Sequence, residues 1–266
     1  MSEQKTILQV DAPRTRASLA RDLQELGLEP GMTVIVHSSL SALGWVCGGP
    51  VAVIQALTDV LTPAGTLCMP AHSGEYSDPA QWHHPPVPAD WWPVIRESMP
   101  LFDPRCTPTR GMGRIAETFR SWPETQRSSH PQVSFAAWGR HARTITANHG
   151  WDFPLGETSP LARIYDLDGS VLLLGAPYGN NTSFHLAEHR VPGRPPAANG
   201  APALENGQKV WKVIQDVETD SDVFDALGAD FEQAHPVRRG KVGSADCRLF
   251  RQRPAVDFAV AWLSSR

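Results

Sequence analysis

Apolar residues in this chain fall into two kinds of run. In one kind they recur at helical spacing: Leu19, Leu23 and Leu26 share a stripe, and so do Val53, Ile54, Leu57, Val60 and Leu61, as a helix packed on one face requires. In the other kind they are short and continuous. Residues 32–37, 66–70, 133–138 and 170–175 are of this sort, and such runs suit strands buried in a layered sheet. Punctuation agrees with both. Pro13 suits a first helical turn and Gly27 a stop, which predicts a helix over 13–27. Gly48-Gly49-Pro50 opens the second helix, and Pro63 and Gly65 turn the chain toward the strand at 66–70. Shorter helices are expected over 115–121, 139–148 and 159–167, the last capped by Ser159 with Pro160 in its first turn. Helix and strand alternating through short turns predicts the α/β class: one layered domain over 1–266, with a mixed β-sheet flanked by helices.

Two stretches break the alternation. Residues 72–104 carry Trp82, Trp91, Trp92, His83, His84 and seven prolines between Pro79 and Pro104. A segment of that composition inside a compact chain reads as a flap or an ordered surface loop. Residues 192–207 are rich in Pro, Ala and Gly and are expected to be an exposed loop. Beyond it, 209–217 alternates like an edge strand, 221–234 reads as a helix, 237–253 as two strands around Gly240 and Gly243, and 255–263 as a terminal helix.

Charge and cysteine content narrow the function. The net charge of −4 argues against a nucleic-acid partner. No apolar run is long enough to span a membrane, and the N-terminus lacks the apolar centre of a signal peptide, so a cytoplasmic protein without a membrane partner is expected. Cys47, Cys68, Cys106 and Cys247 stand far apart, without a Cys-x-x-Cys pair, and read as reduced thiols. The small net charge hides an asymmetry. Seven acids and no Lys or Arg lie from Asp216 to Glu232, and six bases against Asp246 lie from Arg238 to Arg253. These runs are either two solvated faces, or an acidic wall for a polycation followed by a basic patch for a phosphorylated ligand. Together 209–253 form an acidic and basic C-terminal subregion.

Candidate chemistry concentrates at 169–190. The apolar run ending at Gly175 gives way to Ala176-Pro177-Tyr178-Gly179, then to a helix expected to be capped by Thr182 or Ser183. On it His185 and Glu188 are i and i+3 and share a face, so the carboxylate can orient the imidazole. Three readings compete there. His185-Leu-Ala-Glu188-His189 matches an inverted zincin motif, but the downstream carboxylate ligand has no evident source, since no Glu follows Glu232. Ser38 or Ser39 with His185 would be a nucleophile pair, yet no Gly-x-Ser-x-Gly elbow is present. In the third reading His185 is a general base for an incoming amine. Elsewhere, Arg110-Gly-Met-Gly-Arg114 ahead of a helix is a weak anion-binding signal. It is not a Walker loop.

A set of segments carries a resemblance. Val36-His-Ser-Ser-Leu-Ser41, Gly48-Gly49, Gly65-Thr-Leu-Cys-Met-Pro70, Arg110-Gly-Met-Gly-Arg114, Ser129-His-Pro131, Gly156-Glu-Thr-Ser-Pro160, Val171-Leu-Leu-Leu-Gly175 and Asn181-Thr-Ser-Phe-His-Leu-Ala-Glu188 together resemble the aminoglycoside 3-N-acetyltransferase family, in that family's order. The resemblance implies a fold distinct from the commoner acetyltransferases with an Arg/Gln-x-x-Gly-x-Gly/Ala loop. It implies acetyl-CoA as cosubstrate, an aminoglycoside antibiotic as acceptor, antibiotic resistance as outcome, and no metal. It also implies roles. His185 is the catalytic base and Glu188 its supporting acid. His37, Ser38, Ser39 and Leu40 lie along the pantetheine and thioester, and Arg110, Gly111, Met112, Gly113 and Arg114 form the loop at the coenzyme phosphates. Glu218 and Asp220, with Asp78 as a further candidate, hold the aminoglycoside.

Elementary chemistry is consistent with these roles. An ammonium cannot attack a thioester until a base removes a proton, and imidazole suits that task near neutral pH. Thr182 or His37, or nearby backbone N–H groups, are candidates to stabilise the oxyanion. Direct transfer is expected rather than an acetyl-serine intermediate. An acetyltransferase acting on another amine is the alternative, with the zinc hydrolase behind it.

Overall fold

A computed structural model describes residues 3–8 and 10–266. After a short helix α1 (Glu3–Ile7), helix α2 (Arg16–Leu26) starts later than proline placement predicts. Its N-cap is Thr15, whose hydroxyl accepts from the Ser18 N–H while the Ser18 hydroxyl accepts from the Thr15 N–H. That reciprocal box outcompetes Pro13, and Arg14 instead makes an isolated parallel bridge with Val46. Gly27 ends the helix at φ 103°, a left-handed position that glycine tolerates.

The chain then runs β1 (Thr33–Ser38), α3 (Gly49–Leu61), β2 (Thr66–Pro70), α4 (Trp92–Ser98), α5 (Gly113–Phe119), β3 (Gln126–Arg127), β4 (Phe135–Gly139), α6 (Ala142–Thr146), α7 (Pro160–Asp166), β5 (Ser170–Leu174) and α8 (Ser183–Arg190). The last third holds β6 (Pro196–Glu205), β7 (Gln208–Val217), α9 (Phe224–Ala234), β8 (Arg238–Val242), β9 (Ala245–Arg251) and α10 (Gln252–Ser264). Among the described residues, the main sheet has seven strands in the order β3-β4-β2-β1-β5-β9-β8. The three central strands β2, β1 and β5 are parallel, and antiparallel strands flank them on both sides. The mixed α/β sheet expected from the sequence is the one observed.

Alternation along the central strands explains why their sequences are apolar throughout. Val34 and Val36 join a core with Leu19, Leu57 and Phe119, on the side of α2, α3 and α5. Ile35, Val171 and Leu173 join a second core with Phe184, Phe224, Phe231 and Val256, on the side of α8, α9 and α10. Both faces of the sheet are covered, so no polar alternation survives. The parallel strands β1, β2 and β5 therefore deliver their carboxyl ends, and the loops after them, to one edge. That edge is where open α/β sheets place ligands. No helix of the described residues is long and apolar enough to cross a membrane.

The loop expected over 192–207 is instead a strand. β6 pairs with β7 along ten residues, Pro196 with Val217 through Glu205 with Gln208. A two-stranded ribbon leaves an outer edge on each strand, so prolines without N–H groups are tolerated there. Gly200 sits under the Trp211 indole, where a β-carbon would collide with the ring. The ribbon is separate from the main sheet and is tied to α8 through Asp216, whose Oδ1 lies 2.8 Å from His189 Nε2. The stretch 72–104 holds short 3₁₀ turns and α4.

Candidate active site

A cleft of about 610 Å³ opens at the carboxyl edge of the parallel strands. Its lining includes His37, Ser38, Ser39 and Leu40 from the end of β1, and Gly111, Met112, Gly113 and Arg114 from the loop into α5. Thr182 and His185 line it from the other side. Segments far apart in sequence thus meet at one site. Arg110 does not line the cleft; its side chain is exposed and its N–H donates to the His72 carbonyl at 2.8 Å.

The helix that carries His185 is short and begins without the side-chain cap expected from Thr182 or Ser183. Thr182 is itself helical in φ and ψ and makes no capping bond, and the Asn181 side-chain oxygen accepts from the Ser183 N–H at 3.2 Å instead. Gln252 of α10 anchors this turn, donating to the Ser183 hydroxyl and to the Leu161 carbonyl. Thr182 is left to line the cleft.

His185 and Glu188 meet as their spacing predicts. His185 Nδ1 lies 2.6 Å from Glu188 Oε2. Glu188 is fully buried, and its other oxygen accepts from Arg194 Nη2 at 2.9 Å and from the Asp220 N–H at 2.6 Å. Donors alone face this carboxylate, so it is ionised and the His185 hydrogen sits on Nδ1. Nε2 is then the ring nitrogen with a free lone pair. The His185 ring also rests against Phe224, at 4.9 Å between centroids.

Two further histidines lie at the strand ends beside it. His37 and His72 both line the cleft, and each has a buried Nε2 without a hydrogen-bond partner among the described residues. Burial, reinforced by the neighbouring His185, pushes each pKa down to about 3, so both stay neutral. His72 follows β2 as His37 closes β1; no motif marks it, and its place after an apolar run is the one signal that could have found it.

His189 does not present a free nitrogen for a metal. Its Nδ1 lies 2.8 Å from the His185 carbonyl oxygen and its Nε2 2.8 Å from Asp216 Oδ1. Among the described residues no cluster of three or more His, Cys, Asp or Glu is arranged to hold a metal ion. Among the described residues the Ser39 hydroxyl pairs with that of Ser41 at 3.3 Å rather than with His185.

The charged runs are largely built into the fold. Asp216 holds His189, Asp225 accepts from the Gly179 N–H, and Asp230 accepts from the Trp262 indole. Glu232 accepts from the Tyr178 hydroxyl and pairs with Arg239 and Arg248. Lys241 pairs with Asp246, and Arg251 and Arg253 with Asp168. Glu218 and Asp220 remain exposed, next to Ser221 of the cleft lining. The Asp220 carboxylate accepts from the Asp222 N–H. Asp78 is farther off: it is bound in two places by Arg96 and caps the turn at Ala80, outside the cleft lining. Besides His72, the Arg194 and Asp220 contacts to Glu188 were missed by sequence reading.

Comparison with known proteins gives a consistent result. The model of the aminoglycoside 3-N-acetyltransferase family matches residues 35–264. An aminoglycoside N(3')-acetyltransferase-like protein of Bacillus subtilis, YokD, is 53% identical over 251 residues, covering 94% of this chain and 92% of its own. The crystal structure of YokD superposes with a TM-score of 0.97, covering 99% and 98%. A binary complex of AAC-IIIb with CoASH is 33% identical, with a TM-score of 0.86 and coverage of 96% and 98%. A structure of AAC-VIa bound to sisomicin is 31% identical, with a TM-score of 0.86 and coverage of 96% and 99%.

Proposed function

This chain belongs to the aminoglycoside 3-N-acetyltransferase family, and on that premise we propose that it moves the acetyl group of acetyl-CoA directly onto the 3-amino group of an aminoglycoside. The observation that carries the mechanism is His185, with Nδ1 held by buried Glu188 and Nε2 left for substrate. CoASH in AAC-IIIb and sisomicin in AAC-VIa support the same two ligand classes here.

The acetyl-CoA arm lies along the Ser38–Leu40 segment, with its phosphates toward the Gly111–Arg114 loop, where Arg114 brings positive charge. The polycationic acceptor enters past Glu218 and Asp220, whose charge concentrates it. His185 Nε2 removes a proton from the substrate ammonium, and the freed amine attacks the thioester carbonyl carbon. The Nε2 of neutral His37, or Thr182, steadies the oxyanion. The C–S bond then breaks. Of the two protons shed by the amine, one ends on the coenzyme thiol and one leaves to solvent. The product amide carries no charge where the drug carried an ammonium, and that loss underlies antibiotic resistance.

The test is to incubate purified protein with acetyl-CoA and a panel of aminoglycosides, following thiol release, product mass and the acetylated position by NMR. One acetyl at the 3-amino group supports the proposal. Turnover confined to other amines would replace the acceptor but keep the chemistry. No thiol release with any amine would overturn it.

A further inference from the structure

The buried carboxylate behind His185 has a second cation on it. Arg194 Nη2 donates to Glu188 Oε1 at 2.9 Å, and Arg194 Nε and Nη2 donate to the Glu218 carbonyl at 2.9 and 2.5 Å. The Arg194 side chain is about four-fifths covered and Glu188 wholly so. Nothing screens this contact strongly, and charges at such distances act on each other's protonation.

Charged and titratable groups surround His185 from several elements. On its own helix are Glu188 and His189, and β7 contributes Asp216. The segment before β6 contributes Arg194, and the turn after β7 contributes Asp220 through its N–H and its nearby carboxylate. His37 and His72 face it from the ends of β1 and β2, both neutral. His189 donates to two groups that can only accept, a carbonyl and a carboxylate, so it carries a proton on each nitrogen and a positive charge. Glu188 and Asp216 are then balanced by Arg194 and His189. The network closes with no charge required on His185.

We propose that Arg194 is a positioning residue that sets the base strength of His185: by neutralising Glu188 it keeps His185 unprotonated at working pH. Without Arg194, Glu188 would be an uncompensated buried anion against the imidazole, and the imidazolium would become its counter-ion. His185 would then hold a proton before substrate arrived and could not take another. The same guanidinium grips the Glu218 carbonyl, so the loop bearing the substrate-facing acids and the strength of the base depend on one side chain. The inference rests on the reading of His185 as general base.

The test compares wild type with Arg194→Gln, Arg194→Met and Arg194→Lys. Histidine is isotopically labelled, and the His185 resonance is identified by its loss in His185→Gln. The NMR titration midpoint of His185 is expected to rise by about one pH unit or more in the Gln and Met variants, and to stay with the wild type in the Lys variant. The acid limb of kcat/KM should move with it. For every pH unit that the limb moves, activity below it should fall roughly tenfold and recover at alkaline pH. Arg194→Gln keeps a donor to Glu188 but no charge, so an unmoved midpoint in the Gln variant overturns the inference. So does an activity loss that is uniform across pH with the midpoint unmoved, which would leave Arg194 a packing role. Absence of turnover in wild type would overturn the proposed reaction alone, because the NMR titration needs no substrate.

Discussion

His189 donates one ring N–H to the backbone carbonyl of His185 and the other to the Asp216 carboxylate, each at 2.8 Å. The residue that a metal reading of the motif would use as a ligand is instead a clasp between helix α8 and strand β7. Burial works against its charge, but the bonds to Asp216 and the His185 carbonyl, with the charges of Asp216 and Glu188, outweigh that and raise its pKa.

Asp216→Asn should therefore destabilise the fold in a pH-dependent way. A histidine pKa raised by folding contributes full stability below the unfolded value of about 6.5, and loses it as pH rises through the folded value. Denaturant unfolding at pH 6 should show a loss of roughly 1.5–3 kcal/mol, the worth of a hydrogen bond to a charged group. The difference from wild type should shrink by pH 9. An equal loss at both values would mean that the clasp carries no charge.

Acid should weaken the wild-type fold early. His37, His72 and His130 are held near pKa 3, and His149 near 4, chiefly by burial. The hydrogen bonds agree. His130 Nδ1 accepts the N–H groups of Gln132 and Val133, and His149 Nδ1 takes the Ser128 hydroxyl, so neither ring has room for a second proton. The unfolded chain binds these protons near pH 6.5 and the folded one does not, so stability falls as pH drops from there toward 3 or 4. Urea midpoints measured from pH 7.5 down to 4.5 check this. A flat profile across pH 6.5 to 5 would contradict it, and His149→Gln should lessen the slope.

His185→Ala should lower kcat by ~10²–10⁴, the usual worth of a general base, with acetyl-CoA binding by calorimetry unchanged. Glu188→Gln should cost less than His185→Ala in turnover but more in stability, since it disturbs a buried carboxylate with three donors. Turnover at the wild-type rate in His185→Ala would remove His185 from the mechanism.

Glu218→Ala and Asp220→Ala should part company. The Glu218 side chain is exposed and its backbone oxygen holds Arg194, so truncation leaves Glu188 undisturbed and should raise only the aminoglycoside KM, by about fivefold for one solvent-facing charge pair. Asp220 also orders its turn by accepting from the Asp222 N–H, while its own N–H holds Glu188. Its truncation should lower kcat as well. Identical KM effects with unchanged kcat in both variants would show that the turn is held without the Asp220 side chain.

The legible parts of this molecule were those set by local pattern. The strand at 66–70 matches its apolar run to the residue, and the run 170–175 overshoots its strand only by Gly175, because burial on both faces leaves no polar position to blur the ends. His185 and Glu188 were legible because a helical turn alone brings them together. The ribbon was not. Pro196 and Pro202 read as loop until a partner strand is known, and that partner is the edge strand expected on its own from residue 209. Arg194 is six residues from Glu188, yet a helix end and a turn lie between them, so no spacing rule links the two. The acidic run was visible as composition, but which of its members point inward depends on Tyr178, Trp262 and His189, all distant in the chain.

The β6–β7 ribbon hydrogen-bonds to no strand of the seven-stranded sheet. It and its flanking turns reach α8 through polar contacts from Arg194 and Asp220 to Glu188 and from Asp216 to His189. Sequence drift along its outer positions costs the scaffold little, because neither core cluster depends on them. The hairpin and the sheet are thus separable by inheritance: a lineage can rewrite the ribbon's outer positions without touching either core, provided those three contacts to α8 survive.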